Sequence, residues 1–193
     1  MGAGRNAPDV RAGAIESPGM ILLLAAMLLA ADPSLRAGAP PARSGPALVV
    51  PVVAQTPQRC GQAALEMVLR FYGADSTAAH ASDSAYDPVL RGSLITDLAA
   101  AARRAGFEAE ISRLTPDSLV TLLAEGVPPI VLYQSGSFVT LGHFGVVTAW
   151  DPSKRSFTLN DGGPLPRVAK REDFARRWQT AGSQALVVRR RAP

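Results

Sequence analysis

Cysteine is nearly absent from this chain: of 193 residues, Cys60 alone carries a thiol. Internal disulfides are excluded, so the fold must rest on an apolar core, and a chain of this length can build one as a single domain. Histidine is almost as scarce, with only His80 and His143. One thiol and two distant imidazoles offer no recognisable ligand spacing, so neither a metal nor another cofactor is expected. Aromatic residues make up 6% of the chain, and none is interleaved along a basic helix as in a nucleic-acid surface. The net charge of +4 owes part of its excess to Arg189, Arg190 and Arg191, which read as a solvated tail, so no nucleic-acid partner is expected.

Long hydrophobic runs are missing too. The run from Met20 to Ala31 has twelve apolar residues, short of the roughly 20 that span a bilayer but suited to a signal-peptide core. Arg5 and Arg11 precede it, and cleavage could follow Ala31 or Ala39. Residues 1–39 are therefore expected to be a signal peptide and linker, with a periplasmic or secreted product that keeps no membrane span. The alternative for a run of this length is a buried core helix. No cysteine lies near these cleavage sites, so lipoprotein acylation is excluded. In an oxidising compartment a lone thiol is open to oxidation, which favours a use for Cys60.

Cys60 lies where an amphipathic helix begins. Ala64, Met67, Val68, Phe71 and Tyr72 follow it at helical spacing, and Gly73 suits the C-terminal cap. The partial positive charge of a helix N-terminus favours a thiolate, which attacks carbonyl carbon where a thiol hardly does. The ordinary alternative is a small buried apolar side chain.

A base decides between them. His143 opens the strand-like segment His143–Trp150, whereas His80 lies in a stretch without strong period that reads as surface loop. The turn Asp151-Pro152-Ser153-Lys154 and the strand Ser156–Asn160 make a hairpin with this segment. Opposed residues should then have numbers that sum to about 305, which brings Asn160 or Asp161 beside His143 to orient its ring. Asp151 would lie roughly 26 Å along the strand and is excluded. Gln55 could turn its amide toward an oxyanion that the Cys60 N–H also serves, with Gln58 as a rival that is better placed to shape the turn.

Elsewhere, Ser93 or Thr96 can cap a helix running to Ala105. Phe107–Ser112 alternates like a strand, and Thr115-Pro116 starts a second helix that ends before Gly126. Pro129–Tyr133 reads as a buried strand and Gln134–Leu141 as a mobile loop bordering a cleft. A helix over Glu172–Trp178 and a strand over Ala185–Val188 follow. Asp161-Gly162-Gly163 reads as the loop that ends the hairpin rather than a processing site.

The run Pro51–Met67 around Gln55 and Cys60, with Tyr72-Gly73, Gly142–Val147, Leu159-Asn160-Asp161 and Phe174–Trp178, resembles the double-glycine leader peptidases. These are papain-like cysteine peptidases best known from bacteriocin exporters, and the resemblance spans about residues 48–189. It implies an α+β papain-like fold, with a nucleophile helix followed by an antiparallel β-sheet half. It also implies Cys60 as nucleophile, His143 as general base, Asp161 as orienting carboxylate and Gln55 as oxyanion donor. Two positions depart from the family pattern: Arg59 stands where exporter peptidases tend to have an acidic residue, and Gln62 replaces a small residue or proline. No transporter domain or nucleotide-binding motif accompanies the segment, so leader removal during export is not implied.

The expected activity is hydrolysis of peptide bonds in a peptide or protein substrate through a thioester. The alternatives are a cysteine amidase or acyltransferase on peptidoglycan or small amides, and a non-catalytic peptide-binding module of the same fold. An intact Cys60, His143 and Asp161 argues against the last.

Overall fold

The computed structural model describes residues 45–136 and 141–192, which fall in one compact unit. The signal-peptide segment expected over residues 1–39 and the centre of the expected loop, residues 137–140, lie outside the described residues.

Helix α1 (Cys60–Phe71) starts at the cysteine. Its end is set by Gly73, whose φ of +83° is open to glycine at little cost. The Gly73 N–H bonds the Arg70 carbonyl at 2.8 Å and the Ala74 N–H reaches back to Leu69 at 3.0 Å, a Schellman closure of the last turn. Helix α2 (Asp75–Asp83) follows, where the sequence reads as loop. Its inward contact is made by small residues, Ala78 and Ser82 one turn apart, and alanine and serine hardly mark a hydrophobic period.

Helix α3 (Ile95–Arg104) begins between the two expected caps, Ser93 and Thr96, with Leu94 at the N-cap position and no side-chain cap bond. Leu98, Ala99, Ala101 and Ala102 are buried, so packing rather than a cap holds this helix. Strand β1 (Phe107–Arg113) and helix α4 (Pro116–Ala124) are as expected. Thr115 caps α4 by accepting from the Ser118 N–H at 3.1 Å, and the Ser118 hydroxyl closes a capping box.

The remaining elements are β2 (Ile130–Ser135), β3 (Leu141–Asp151), β4 (Ser156–Asn160), β5 (Arg167–Lys170), α5 (Arg171–Thr180) and β6 (Gln184–Arg190). Strand pairing carries β2 through Gln134 and Ser135, which composition assigns to the loop. The short β5 is absent from the sequence reading because its side chains are mostly exposed at the sheet margin and show no buried stripe. The strands form one antiparallel sheet in the order β1-β6-β2-β3-β4-β5.

Side chains from alternate faces of this sheet enter two clusters. Ile130, Val146, Leu186 and Val188 pack with Leu65, Val68 and Leu98 of α1 and α3. Val131, Tyr133, Val147, Phe157 and Leu159 pack with Leu119 and Leu123 of α4 and with Phe174 and Trp178 of α5. Trp178 is 1% exposed and donates its indole N–H to the Gln184 carbonyl at 2.8 Å, so burial leaves no polar atom of the ring unmet. No described helix is long and apolar enough to cross a membrane.

The β3–β4 hairpin is the element that sets the site. Asp151 holds its turn by accepting from the Ser153 hydroxyl at 2.6 Å and from the Ser153 and Lys154 N–H groups. Asp151 is pulled down to about 2, first by the Ser153 side-chain bond and then by the Lys154 N–H. Beyond the turn Asp151 faces Ser156 and Ala149 faces Thr158; after a bulge between Val147 and Ala149, Val147 faces Leu159 and Val146 faces Asn160. The pairing is therefore shifted from the expected register, and the extra residue of the bulge changes it within the hairpin.

Candidate active site

The approach to α1 is a tight turn. Thr56, Pro57, Gln58 and Arg59 close it through an Arg59 N–H to Thr56 carbonyl bond of 3.1 Å, with Gln58 at φ +69°. Proline second and a left-handed third residue are the marks of a type II turn. Gln58 thus shapes the entry to the helix, and its amide oxygen accepts from Arg91 at 3.2 Å. Arg59 sits at the positive end of α1, where a cation is unfavourable. Asp83, at 3.0 Å, and the Tyr86 ring, 4.5 Å from the guanidinium carbon, offset it.

The first turn of α1 brings the Cys60 thiol beside His143 on β3, near enough for each to shift the titration of the other. Burial is the largest influence on the thiol and raises its pKa. The His143 hydrogen bond, the Phe144 N–H, the His143 charge and the Gly61 N–H together outweigh it, so the thiol is held below its ordinary value. For His143 burial is again largest and lowers the pKa, but the Cys60 bond and charge, the Asp161 carbonyl and the Asp161 charge leave the imidazole above its ordinary value. Opposite shifts on partners in contact favour a thiolate–imidazolium pair.

His143 Nε2 lies 3.2 Å from the main-chain carbonyl oxygen of Asp161, which leaves Nδ1 for the thiol. The Asp161 carboxylate is turned elsewhere: it accepts from the Tyr133 hydroxyl at 3.2 Å and lies 3.9 Å from Arg167. Asp161 thus adjoins the histidine, but through its backbone rather than the carboxylate that was expected. Asn160, the other candidate, is buried and donates its amide N–H to the Val50 carbonyl at 3.1 Å, tying down the segment before the turn.

Gln55 is held against the same hairpin end. Its N–H bonds the Gly162 carbonyl at 3.4 Å. Gly162 has φ +84°, and a Cβ there would fall 2.5 Å from Gln55 Cγ. The Gln55 amide oxygen is buried without a partner. A half-turn about the last side-chain bond exchanges that oxygen for the NH2 group, so the position can present a donor. His80 lies on α2, exposed.

Tyr133 adjoins the candidate site and was not singled out by sequence reasoning. It reads there as one residue of a buried strand, and only the need of a buried phenol for a hydrogen-bond partner could have singled it out. It faces His143 across the β2–β3 ladder, with ring centroids 5.5 Å apart and planes at 87°. A cavity of about 320 Å³ is lined by Tyr133, Leu159, Arg167, Lys170, Phe174 and Arg177 among others. Neither Cys60 nor His143 lines it, so it is not the seat of the thiol chemistry.

Comparison with solved structures finds a double glycine motif protease from an AMS/PCAT transporter in complex with the leader peptide. It is 24% identical with a TM-score of 0.60, covering 75% of this chain and 94% of that one. The peptidase domain of Streptococcus ComA is 21% identical with a TM-score of 0.57, over 72% of this chain and 97% of that one. A putative C39-like peptidase from Bacillus anthracis is 16% identical with a TM-score of 0.64, over 78% of this chain and all of the other. A search of curated proteins finds no match. These likenesses carry the fold, and the expected α+β, papain-like class is the one observed. The Peptidase_C39 like family matches residues 47–186, and the chain belongs to that family.

Proposed function

We propose that this protein is a cysteine peptidase that hydrolyses peptide bonds through a Cys60 thioester. The observation that carries the reading is the contact of Cys60 with His143, with the thiol lowered and the imidazole raised. The leader peptide bound to a protein of the same fold supports a peptide as substrate class.

In this reading His143 takes the Cys60 proton and the sulfur attacks the carbonyl carbon of the scissile bond. The negative oxygen of the tetrahedral intermediate accepts from the Cys60 N–H, one of the donors unpaired at a helix start, and from the Gln55 amide. The C–N bond breaks as His143 gives its proton to the leaving amine. Water then loses a proton to His143 and attacks the thioester, releasing a carboxylate and restoring the thiol. Asp161 orients the ring by its carbonyl and favours the imidazolium by its charge. Export by way of residues 20–31 belongs to the same reading, and the N-terminal sequence of the exported product would test it.

The deciding experiment is the rate of Cys60 alkylation against pH in the protein and in His143→Ala. The expected result is a thiolate population well below the ordinary thiol value of about 8.5 that disappears in the variant. An ordinary thiol indifferent to His143 would overturn the assignment. Hydrolysis of a peptide library, lost in Cys60→Ala, would then define the substrate.

A further inference from the structure

Asp161 divides its two oxygen groups between two neighbours. Its carbonyl faces His143 Nε2 at 3.2 Å, and its carboxylate accepts from Tyr133 at 3.2 Å with Arg167 at 3.9 Å. The carbonyl direction depends on the Asp161 main chain, which follows the last residue of β4 and precedes the left-handed Gly162. No ladder partner continues β4 past Asn160 against β3; beyond it the chain is held by the Gln55 N–H on the Gly162 carbonyl at 3.4 Å and by the side-chain contacts of Asp161 itself.

The Tyr133 contact is suited to that task. Tyr133 is 2% exposed and paired in the β2–β3 ladder directly opposite His143. Its ring meets the imidazole edge-on, packs against Phe174 at 6.3 Å between centroids and lies under the Arg167 guanidinium at 5.8 Å. A ring fixed on so many sides presents its hydroxyl from one place. Gly145 makes the approach possible: a Cβ there would lie 3.3 Å from the Tyr133 ring and 3.4 Å from Asp161 Cβ.

From these contacts we infer that Tyr133 is a positioning residue for His143, acting by latching the Asp161 carboxylate so that the Asp161 carbonyl is aimed at Nε2. The inference rests on the proposed role of His143 and deepens it. Asp161 serves as the link between a buried phenol and the imidazole, rather than as a carboxylate on the ring. The titratable or charged groups that face this arrangement are Cys60 from α1, Tyr133 from β2, Asp161 after β4 and Arg167 from β5.

The test is the titration of His143 by NMR, with the exposed His80, the chain's one other histidine, as internal reference. Tyr133→Phe keeps the ring and removes the hydroxyl. It should lower the His143 midpoint by about half a pH unit or more while His80 stays fixed. Asp161→Asn keeps an oxygen for the phenol and the same carbonyl, so it should shift His143 less than Asp161→Ala does. Adding Tyr133→Phe to Asp161→Ala should move it no further.

An unchanged or raised midpoint in Tyr133→Phe overturns the inference, as does an equal effect of Asp161→Asn and Asp161→Ala, which would assign the effect to charge alone. Thermal unfolding of each variant separates misfolding from mispositioning, and a folded variant is the one scored. Alkylation of Cys60 in the parent protein tests the catalytic reading apart from these titrations, so either can fail alone.

Discussion

The imidazole of His143 is met by the main-chain carbonyl of Asp161 at 3.2 Å, while the side chain of that residue is committed to Tyr133. A carbonyl accepts from Nε2–H as a carboxylate does, and so fixes the tautomer that leaves Nδ1 for Cys60. It lacks the negative charge, which here acts from a greater remove. The electrostatic support for the imidazolium therefore comes chiefly from the thiolate: Cys60 outranks Asp161 among the influences that raise His143.

The pH dependence follows from the two signs. Cys60 is lowered in the folded protein, so its contribution to stability is present above the ordinary thiol pKa and is lost as pH falls through the lowered value. His143 is raised, so its contribution is present below the ordinary histidine pKa and is lost as pH rises through the raised value. Peptide hydrolysis should accordingly be bell-shaped in kcat/KM, with an acid limb set by the thiolate and an alkaline limb by the imidazolium. His143→Ala should abolish hydrolysis and return the thiol to about 8.5, measured by alkylation. An alkylation midpoint that stays in place would count against the pair.

Gln55→Ala separates oxyanion support from thiol activation. Alkylation develops no oxyanion, so its rate should be unchanged, while peptide hydrolysis should fall about 10²-fold on the scale of a lost oxyanion donor. Equal losses in both assays would instead mean that the turn before α1 had moved.

Gly162→Ala imposes a side chain on a backbone at φ +84° and drives its Cβ to 2.5 Å from Gln55 Cγ. The left-handed conformation alone costs an L-residue about 1–2 kcal/mol, and Gln55 must also shift. A lower urea midpoint together with slower hydrolysis is expected, and unchanged values in both would refute the close packing.

Trp178→Ala empties the centre of the cluster formed by α5 and the sheet. Trp178 stacks on Phe174 with centroids 5.5 Å apart, and its truncation should destabilise the fold by about 3–5 kcal/mol. Chemical denaturation measures this directly. A loss under about 1 kcal/mol would contradict the observed burial.

The start of α1 at Cys60, the Gly73 closure and the Thr115 cap were legible because each rests on contacts between near neighbours in the chain, and the strands around Tyr133 and His143 because their β-branched and aromatic composition marks them. Helix α2 and strand β5 were not. The first buries only small side chains and the second is an exposed margin, so neither leaves a periodic stripe. The hairpin arithmetic selected the right neighbourhood for His143 but not the right group. The turn is centred one residue further along than the arithmetic assumed, and the bulge at Val147 and Ala149 recovers only part of that difference; which group of Asp161 meets the ring is set by side-chain contacts that register does not carry.

From the sequence alone came the candidates for the reacting groups, since one thiol and two histidines, only one of them on a strand, left little choice. Local patterning also put that thiol on a helix N-terminus. Tertiary structure decided how the groups meet: that Asn160 ties down Val50, that Gln58 spends its oxygen on Arg91, that Asp161 offers His143 its carbonyl and Tyr133 its carboxylate. Those choices depend on differences of an ångström or two between elements brought together only by packing. Hydrogen bonds are won or lost over that distance, whereas hydrophobic periodicity is blind to it.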